Sequence, residues 1–156
     1  ALGEAGCGSR LASLHLSKMK NGVTDSGLRV LAEAGCGANL TSLTLANLKE
    51  GVTDCGIDGL AKAGCGTKLV SLSLQWLTDG VTDAGLCALA KAGCGENLTS
   101  LTREGLKEGV SDSGLHAFAQ AGCGANLTSL HLSGETLCVF LFNGETVVMM
   151  DCCVWM

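Results

Sequence analysis

Two short serine–histidine pairs are the residues whose types could perform nucleophilic chemistry. Ser13 precedes His15 by two positions, and Ser129 precedes His131 in the same way. Residues two apart on a strand project from the same face of a sheet. A serine hydrolase also needs a hydrogen bond between nucleophile and base, a third group that orients the base, and an oxyanion site. Because no acidic column accompanies either pair, the hydrolase is the least favoured hypothesis and we expect no enzyme activity.

The ten cysteines could form disulfides, hold a metal ion or pack in a core. Since cysteine packs well as a small apolar side chain, one equivalent thiol per repeat favours a buried, reduced ladder. Without a CxxC pair or a Cys/His cluster, and with Cys152 directly followed by Cys153, we predict no metal site. Reduced thiols would place the protein in the cytoplasm or nucleus. Five cysteines recur at intervals of 29 residues, each within the tetrapeptide AGCG: Cys7, Cys36, Cys65, Cys94 and Cys123.

Composition and motifs argue against several classes of ligand. The net charge of −5 leaves no basic surface for nucleic acid or for an acidic membrane. Neither GxxxxGK[ST] nor a strand-linked GxGxxG occurs, so no cofactor is predicted. Asn143, Glu145 and Asp151 interrupt the stretch of about 20 apolar residues that a membrane span needs. Three N-L-T sequons are by-products of the repeat, and we expect no glycosylation of Asn39, Asn97 and Asn126.

The AGCG tetrapeptides mark a repeat of 29 residues in which the apolar period changes. One full copy begins at Leu40 and ends at Lys68, and its neighbours begin at Leu11, Leu69, Leu98 and Leu127. The first half of each copy has the alternation of a strand, and the second half has the spacing of one helix face. Each unit is therefore strand, turn, helix. One such unit cannot bury its apolar face alone, so the copies must stack into a solenoid.

The residues between strand and helix carry helix-capping chemistry. In the copy from Leu40, the side chain of Thr53 or Asp54 can accept hydrogen bonds from the first free N–H groups of the following helix. Gly64 follows the last helical alanine and can take the left-handed conformation that ends many helices. The repeat thus predicts both ends of each helix.

LxxLxL followed by VTDxGLxxLAxAGCG resembles the leucine-rich-repeat family, in particular its ribonuclease-inhibitor-like and cysteine-containing subclasses. The resemblance implies an α/β solenoid, a horseshoe segment with a parallel sheet on the concave face and helices on the convex face. It covers residues 1–133, as a partial unit, four full units and the start of a fifth. The family often has Asn or Cys at the ninth position, so an asparagine ladder is not expected from Met19, Leu48, Leu77 and Leu106.

If the leucines at positions one, four and six point inward, the residues between them project from the concave face. Binding hot spots are rich in tryptophan, and Trp76 is the strongest candidate, with burial over the neighbouring unit's turn as the alternative. Family members commonly bind partner proteins on this face. The predicted partner-binding residues are Trp76, Gln75, Glu104, His15, His131, Ser42, Thr44, Ser71, Ser73, Ser100 and Thr102.

Arg103 breaks the core pattern, because it occupies the sixth position, where other copies have leucine. A buried guanidinium is costly. We expect that its stem lies in the core while the charge reaches outward, or that the fourth strand loosens locally. A role as a cation on the concave face beside Glu104 is the functional alternative.

The two ends of the chain depart from the repeat. Residues 1–10 match the helix end of a preceding unit, which suggests a fragment of a longer array. Residues 134–156 form an apolar tail in which Leu137–Phe142 and Thr146–Met150 flank Asn143 and Gly144, the pattern of a β-hairpin. The tail is either a cap or a non-native end. Self-association through exposed solenoid ends is left open.

We therefore predict a non-enzymatic module that binds a protein partner, as yet unknown, on the concave strand face. The alternative from another class is the substrate-recognition segment of an F-box-type ubiquitin ligase, because VTDxGLxxLA followed by cysteine looks like the repeats of F-box proteins. No F-box-like helical segment occurs within the 156 residues.

Overall fold

The computed structural model describes residues 10–17, 23–48, 51–77, 80–94, 96–105, 111–122, 126–133, 139–142 and 145–148. Strands and helices alternate from the first repeat to the fifth strand. The strands are β1 (Ser13–Ser17), β2 (Ser42–Ala46), β3 (Ser71–Gln75), β4 (Ser100–Glu104) and β5 (Ser129–Ser133). The helices are α1 (Asp25–Glu33), α2 (Asp54–Lys62), α3 (Asp83–Lys91) and α4 (Asp112–Gln120).

The five strands form one parallel sheet in sequential order, β1-β2-β3-β4-β5. Neighbouring strands pair equivalent repeat positions, for example Leu43 with Leu72 and Leu72 with Leu101. This register follows from the constant repeat length. The predicted α/β solenoid with parallel strands is therefore confirmed.

The core lies between the sheet and the helices. Leu40, Leu43 and Leu45 are at most 1% exposed, as the inward placement of positions one, four and six requires. Ile57 and Leu60 of α2 are equally buried against them. Because the repeats supply leucines at equivalent positions, with Arg103 as the exception at the sixth position of its copy, the core runs continuously through the stack. The ninth position joins this core, since Leu48 and Leu77 are buried, whereas Met19 and Leu106 lie outside the described residues.

The aspartates that begin α1, α2 and α3 each bind the next repeat. Asp54 Oδ1 accepts hydrogen bonds from the backbone N–H of Thr82 at 2.8 Å and of Gly85 at 2.9 Å, and its Oδ2 accepts the Thr82 hydroxyl at 2.6 Å. Asp25 makes the same three bonds to Thr53 and Gly56. Each carboxylate thereby accepts hydrogen bonds from N–H groups at the start of the next helix, where the regular intrahelical bonds have not yet begun, and the glycine N–H also donates to the threonine carbonyl at 3.1 Å.

Of the two predicted helix caps, the threonine is confirmed and the aspartate is wrong. Thr53 Oγ1 accepts a hydrogen bond from Cys55 N–H within its own helix, and Thr82 does the same for Ala84. The candidate Asp54 instead serves the following helix. Gly64, with a φ of +77°, lies just after α2 in the left-handed conformation that was expected there.

The AGCG cysteines form a second contact between repeats. Cys36, Cys65 and Cys94 are buried, and Cys7 and Cys123 lie outside the described residues. The glycines after Cys36 and Cys65 leave room for the next cysteine, because a Cβ on Gly66 would lie 2.8 Å from Cys94 Cβ and 2.9 Å from its Cα. The tetrapeptide is thus a packing unit shared by two repeats.

Two further strands follow the solenoid, β6 (Val139–Phe142) and β7 (Glu145–Val148). They pair antiparallel, with Phe142 opposite Glu145, in a sheet of their own. The predicted turn residues, Asn143 and Gly144, lie outside the described residues. The assignment of this tail as a cap or as a non-native end stays a prediction. Over the part of the chain that the structure describes, no helix is long and apolar enough to cross a membrane.

Candidate functional site

The strand face is the side of the sheet that points away from the helices, formed by the third, fifth and seventh positions of each repeat and bordered by the eighth position, which directly follows each strand. Along β3, half-buried Ser71, Ser73 and Gln75 alternate with buried Leu72 and Leu74. The same alternation places the other predicted binding residues of the five strands on this face. Four lie half-buried in the middle strands, namely Ser42, Thr44, Ser100 and Thr102, and two lie exposed on the outer strands, namely His15 and His131. The structure thus brings the predicted residues onto one surface.

The serine–histidine pairs do not form the arrangement that hydrolysis needs. His15 Nε2 lies 3.1 Å from Ser17 Oγ, on the side of the histidine away from Ser13. Both side chains are at the first strand of the sheet, and no carboxylate bonds to the ring within the described residues. His131 is exposed at the fifth strand, far along the sheet from His15. The hydroxyl that His15 contacts therefore belongs to Ser17 and not to the predicted nucleophile Ser13.

Trp76 lies directly after β3 and has a φ of +50°, in the left-handed region. Equivalent positions in the neighbouring repeats hold Asn47, with φ +52°, and Gly105, with φ +56°. Asparagine and glycine tolerate this conformation, whereas a bulky side chain there is strained by about 1–3 kcal/mol. The turn geometry thus repeats along the sheet, and only its side chain changes.

The indole of Trp76 is both packed and exposed. It lies flat against the backbone of Gly105, since a Cβ on that glycine would lie 2.6 Å from ring atom Cδ2 and 2.7 Å from Cζ3. The side chain nevertheless remains 53% exposed. The ring therefore covers the neighbouring turn with one face, as the alternative prediction had it, and leaves aromatic surface open to solvent.

Gln75 and Glu104 flank this ring at the ends of adjacent strands. They are register partners in the β3–β4 pairing, and both are half-buried. Trp76 N–H donates to the Glu104 carbonyl at 2.8 Å, which fixes the tryptophan next to the carboxylate-bearing residue. Within the described part of the chain, Glu104 makes no ion pair. An aromatic ring, an amide and a carboxylate therefore share one corner of the strand face.

Arg103 lies on the opposite side of β4 from this corner. It is 8% exposed, where Leu45 and Leu74 of the same column are 0% and 2% exposed. The inward placement is confirmed, and β4 keeps its full pairing with β3 and β5 around it. The alternative of a cation on the strand face, and that of a loosened fourth strand, are wrong because the side chain is packed in the core column.

Among the described residues, the helix side carries shallow grooves between neighbouring helices. The groove between α2 and α3 is lined by four alanines together with Asp58, Lys62, Gly64, Cys87 and Lys91. Lys62 pairs with Asp58 at 2.5 Å within α2. Among the described residues there is no group of three or more side chains suited to a metal ion. These grooves therefore offer fewer distinctive binding groups than the corner formed by Trp76, Gln75 and Glu104.

The sequon asparagines contact neighbouring repeats. Asn97 Nδ2 donates to the Thr67 carbonyl at 2.9 Å, and Asn126 Nδ2 donates to the Glu96 carbonyl at 2.7 Å. Their side-chain amides thus link successive repeats ahead of β4 and β5.

Sequence reasoning missed the aspartate contacts and the strained turn at Trp76. The aspartate contacts join residues 28 to 31 positions apart, so they exist only after stacking. The sequence feature that could have revealed these contacts is the glycine two residues after each aspartate. This glycine makes room for the aspartate of the preceding repeat, because a Cβ on Gly56 would lie 2.5 Å from Asp25 Oδ1. For Trp76, the strained turn could have been inferred from the equivalent positions in the neighbouring repeats, because Asn47 and Gly105 are residue types that tolerate positive φ.

Comparison with solved structures shows which fold this arrangement belongs to. The tropomodulin C-terminal domain of Caenorhabditis elegans superposes with a TM-score of 0.57 at 16% identity, covering 87% of this chain and 85% of that one. The leiomodin-1 actin-binding site 2 superposes with a TM-score of 0.61 at 17% identity, covering 86% of this chain and 78% of that one. No family model matches the chain, and no curated protein matches it.

These likenesses, with the observed topology, define the class of the protein as a leucine-rich-repeat-type solenoid of parallel strands alternating with helices. The finer assignment to the ribonuclease-inhibitor-like subclass stays a prediction.

Proposed function

We propose that this chain is a non-enzymatic module that binds a protein partner on its strand face. The observation that carries the proposal is Trp76, a strained tryptophan at a position where the neighbouring repeats hold Asn47 and Gly105. Strained residues persist where the surrounding structure holds them, and they cluster at ligand-binding sites. An exposed tryptophan is also the side chain most enriched at the centres of protein interfaces.

The rest of the strand face fits the same function. Small hydroxyl side chains on adjacent strands present hydrogen-bond donors and acceptors on a surface with few long side chains to immobilise. The leiomodin-1 fragment of similar fold is described as an actin-binding site, which supports protein binding as the class of function. No described residue adds support for the F-box alternative.

Two matched charge variants test where a partner binds. Ser73→Glu adds a carboxylate in the middle of the strand face, and Val30→Glu adds one on helix α1, where Val30 is 57% exposed. We expect that a protein recovered with the wild-type chain is also recovered with Val30→Glu but lost with Ser73→Glu. The binding must then be reproduced with both purified components. Loss with Val30→Glu and retention with Ser73→Glu would contradict the proposal.

A serine-reactive fluorophosphonate probe tests the hydrolase alternative separately. Since His15 contacts Ser17 and not Ser13, we expect labelling of the wild-type chain no greater than that of Ser13→Ala. Strong labelling that the substitution abolishes would establish an enzyme and overturn the non-enzymatic assignment.

A further inference from the structure

The corner formed by Trp76, Gln75 and Glu104 has the chemistry of a site for a cationic side chain. The indole offers an open aromatic surface at the edge of the strand face. The Glu104 residue is tied to it by the backbone hydrogen bond from Trp76 N–H. A cation held over an aromatic ring is attracted by the ring's quadrupole, and a nearby carboxylate adds a direct ion pair.

The backbone around the corner is fixed before any ligand arrives. The ring rests on Gly105, whose lack of a Cβ is what allows this close approach. Gln75 and Glu104 are held in register by the parallel pairing of β3 and β4. Because the ring and the two strand ends are already ordered, binding at this corner would immobilise few additional side chains.

The charges around the corner favour a cation over an anion. Glu104 is the acidic residue of the strand face, and no described cation pairs with it. Arg103, its neighbour in sequence, is buried on the core side of the same strand. The chain as a whole carries a net charge of −5, which attracts a basic partner at long range.

We propose that Trp76 and Glu104 bind an arginine side chain of the partner protein, with the guanidinium stacked on the indole and paired with the carboxylate. This inference rests on the proposed protein-binding function and adds the chemistry of the partner. Arginine fits better than lysine because its planar group can stack on a ring and form two parallel hydrogen bonds to one carboxylate. The Gln75 amide lies on the adjacent strand, beside the same guanidinium.

The probe for this site is the peptide Ac-Gly-Arg-Gly-Arg-Gly-NH2, with the matched Lys, Gln and Glu peptides as controls. The full chain carries Trp155→Phe, so that Trp76 gives the only indole signal in an NMR titration. We expect a saturable shift of the Trp76 indole N–H with the arginine peptide, binding about 3-fold weaker with the lysine peptide, and none with the other two. The affinity should fall as salt is raised.

Two variants assign the effect to the proposed residues. Glu104→Gln keeps the shape of the side chain and should weaken the arginine peptide about 3- to 5-fold. Trp76→Asn installs the residue that occupies this position in the preceding repeat and should remove the saturable shift of the strand-face amides. Arginine binding unchanged by both variants would overturn the inference.

The titration also separates failure of this inference from failure of the proposed function. If the Gln or Glu peptide, but not the arginine peptide, shifts the strand-face amides, the arginine site is wrong and the binding face stands. If no peptide shifts the Trp76 indole, the arginine site is again wrong. The strand face as a whole is then judged by the Ser73→Glu and Val30→Glu comparison alone.

Discussion

The helix starts and the strand ends of this solenoid treat neighbouring repeats in opposite ways. At the helix starts, the same residue type recurs, and Asp25 and Asp54 each accept three hydrogen bonds from the next repeat. At the strand ends, the equivalent positions change from Asn47 to Trp76 to Gly105 while the backbone stays in one left-handed conformation.

The difference separates the residues that stabilise the contact between repeats from those that present side chains on the surface. Positions that repeat without change contact the adjacent repeat, either through a carboxylate or through the AGCG packing unit. The position that changes from Asn47 to Trp76 to Gly105 lies directly after the strands, at the edge of the strand face, where its side chain has freedom to suit a partner. We therefore expect substitutions in the first group to reduce stability and those in the second to alter binding.

The largest loss of stability is expected from Gly66→Ala. The new Cβ would overlap Cys94, including its backbone Cα at 2.9 Å, so two repeats would have to separate, at a cost of about 3 kcal/mol. Gly64→Ala is the matched control, because nothing lies within 4 Å of a Cβ there and only the left-handed φ of +77° opposes it, at about 1 kcal/mol. Urea unfolding of both variants checks the order, and equal losses would contradict the packing role of AGCG.

Asp54→Ala is expected to cause the next largest loss of stability, about 2–3 kcal/mol, because two backbone N–H groups and a hydroxyl lose a charged acceptor. Asp58→Ala removes an aspartate of the same helix that only pairs with Lys62 on the surface, and should cost under about 0.5 kcal/mol. Thermal unfolding of the two variants measures the difference. A loss at Asp58 as large as that at Asp54 would break the distinction between stacking and surface residues.

Arg103→Leu is expected to stabilise the fold by about 1–2 kcal/mol, because it replaces a buried charge by the residue found at 45 and 74 in the same column. The melting temperature should rise. An unchanged or lower melting temperature would show that the guanidinium contributes more in its present surroundings than it costs to bury.

Alkaline pH should weaken the cysteine ladder. Burial, with a smaller contribution from Cys36, raises the pKa of the Cys65 thiol from 9.0 to about 11. The fold favours the neutral thiol, so this contribution is intact below pH 9 and is lost as the pH rises toward 11, by roughly 1 kcal/mol near pH 10. Unfolding at pH 8 and pH 10 should show a smaller pH dependence for Cys65→Ala than for the wild-type chain. An equal dependence would place the titrating group elsewhere.

The sequence was sufficient to predict the architecture, because the 29-residue period imposes one register on every strand. Leu43 and Leu72 are core partners for the same reason that they are equivalent in the repeat. The strand face could be derived in the same way, since alternation along β3 places Ser73 and Gln75 on one side.

The contacts between repeats and the geometry of the corner could not be derived so directly. Asp54 was a reasonable cap for its own helix, and only the offset of stacked helices turns it toward Thr82. Likewise, the spacing placed Trp76 at a strand end, but its positive φ and its contact with Gly105 depend on how two adjacent turns pack.

The most direct test of the account is Trp76→Asn, because it changes the strand face and leaves the repeat pattern intact. Relief of the strained backbone should offset the loss of a ring that is 53% exposed, so the free energy of unfolding should change by less than about 1 kcal/mol. Binding of the partner isolated with the wild-type chain should nevertheless be lost. Retained binding together with a large drop in stability would show that Trp76 serves the stack and would contradict the central claim.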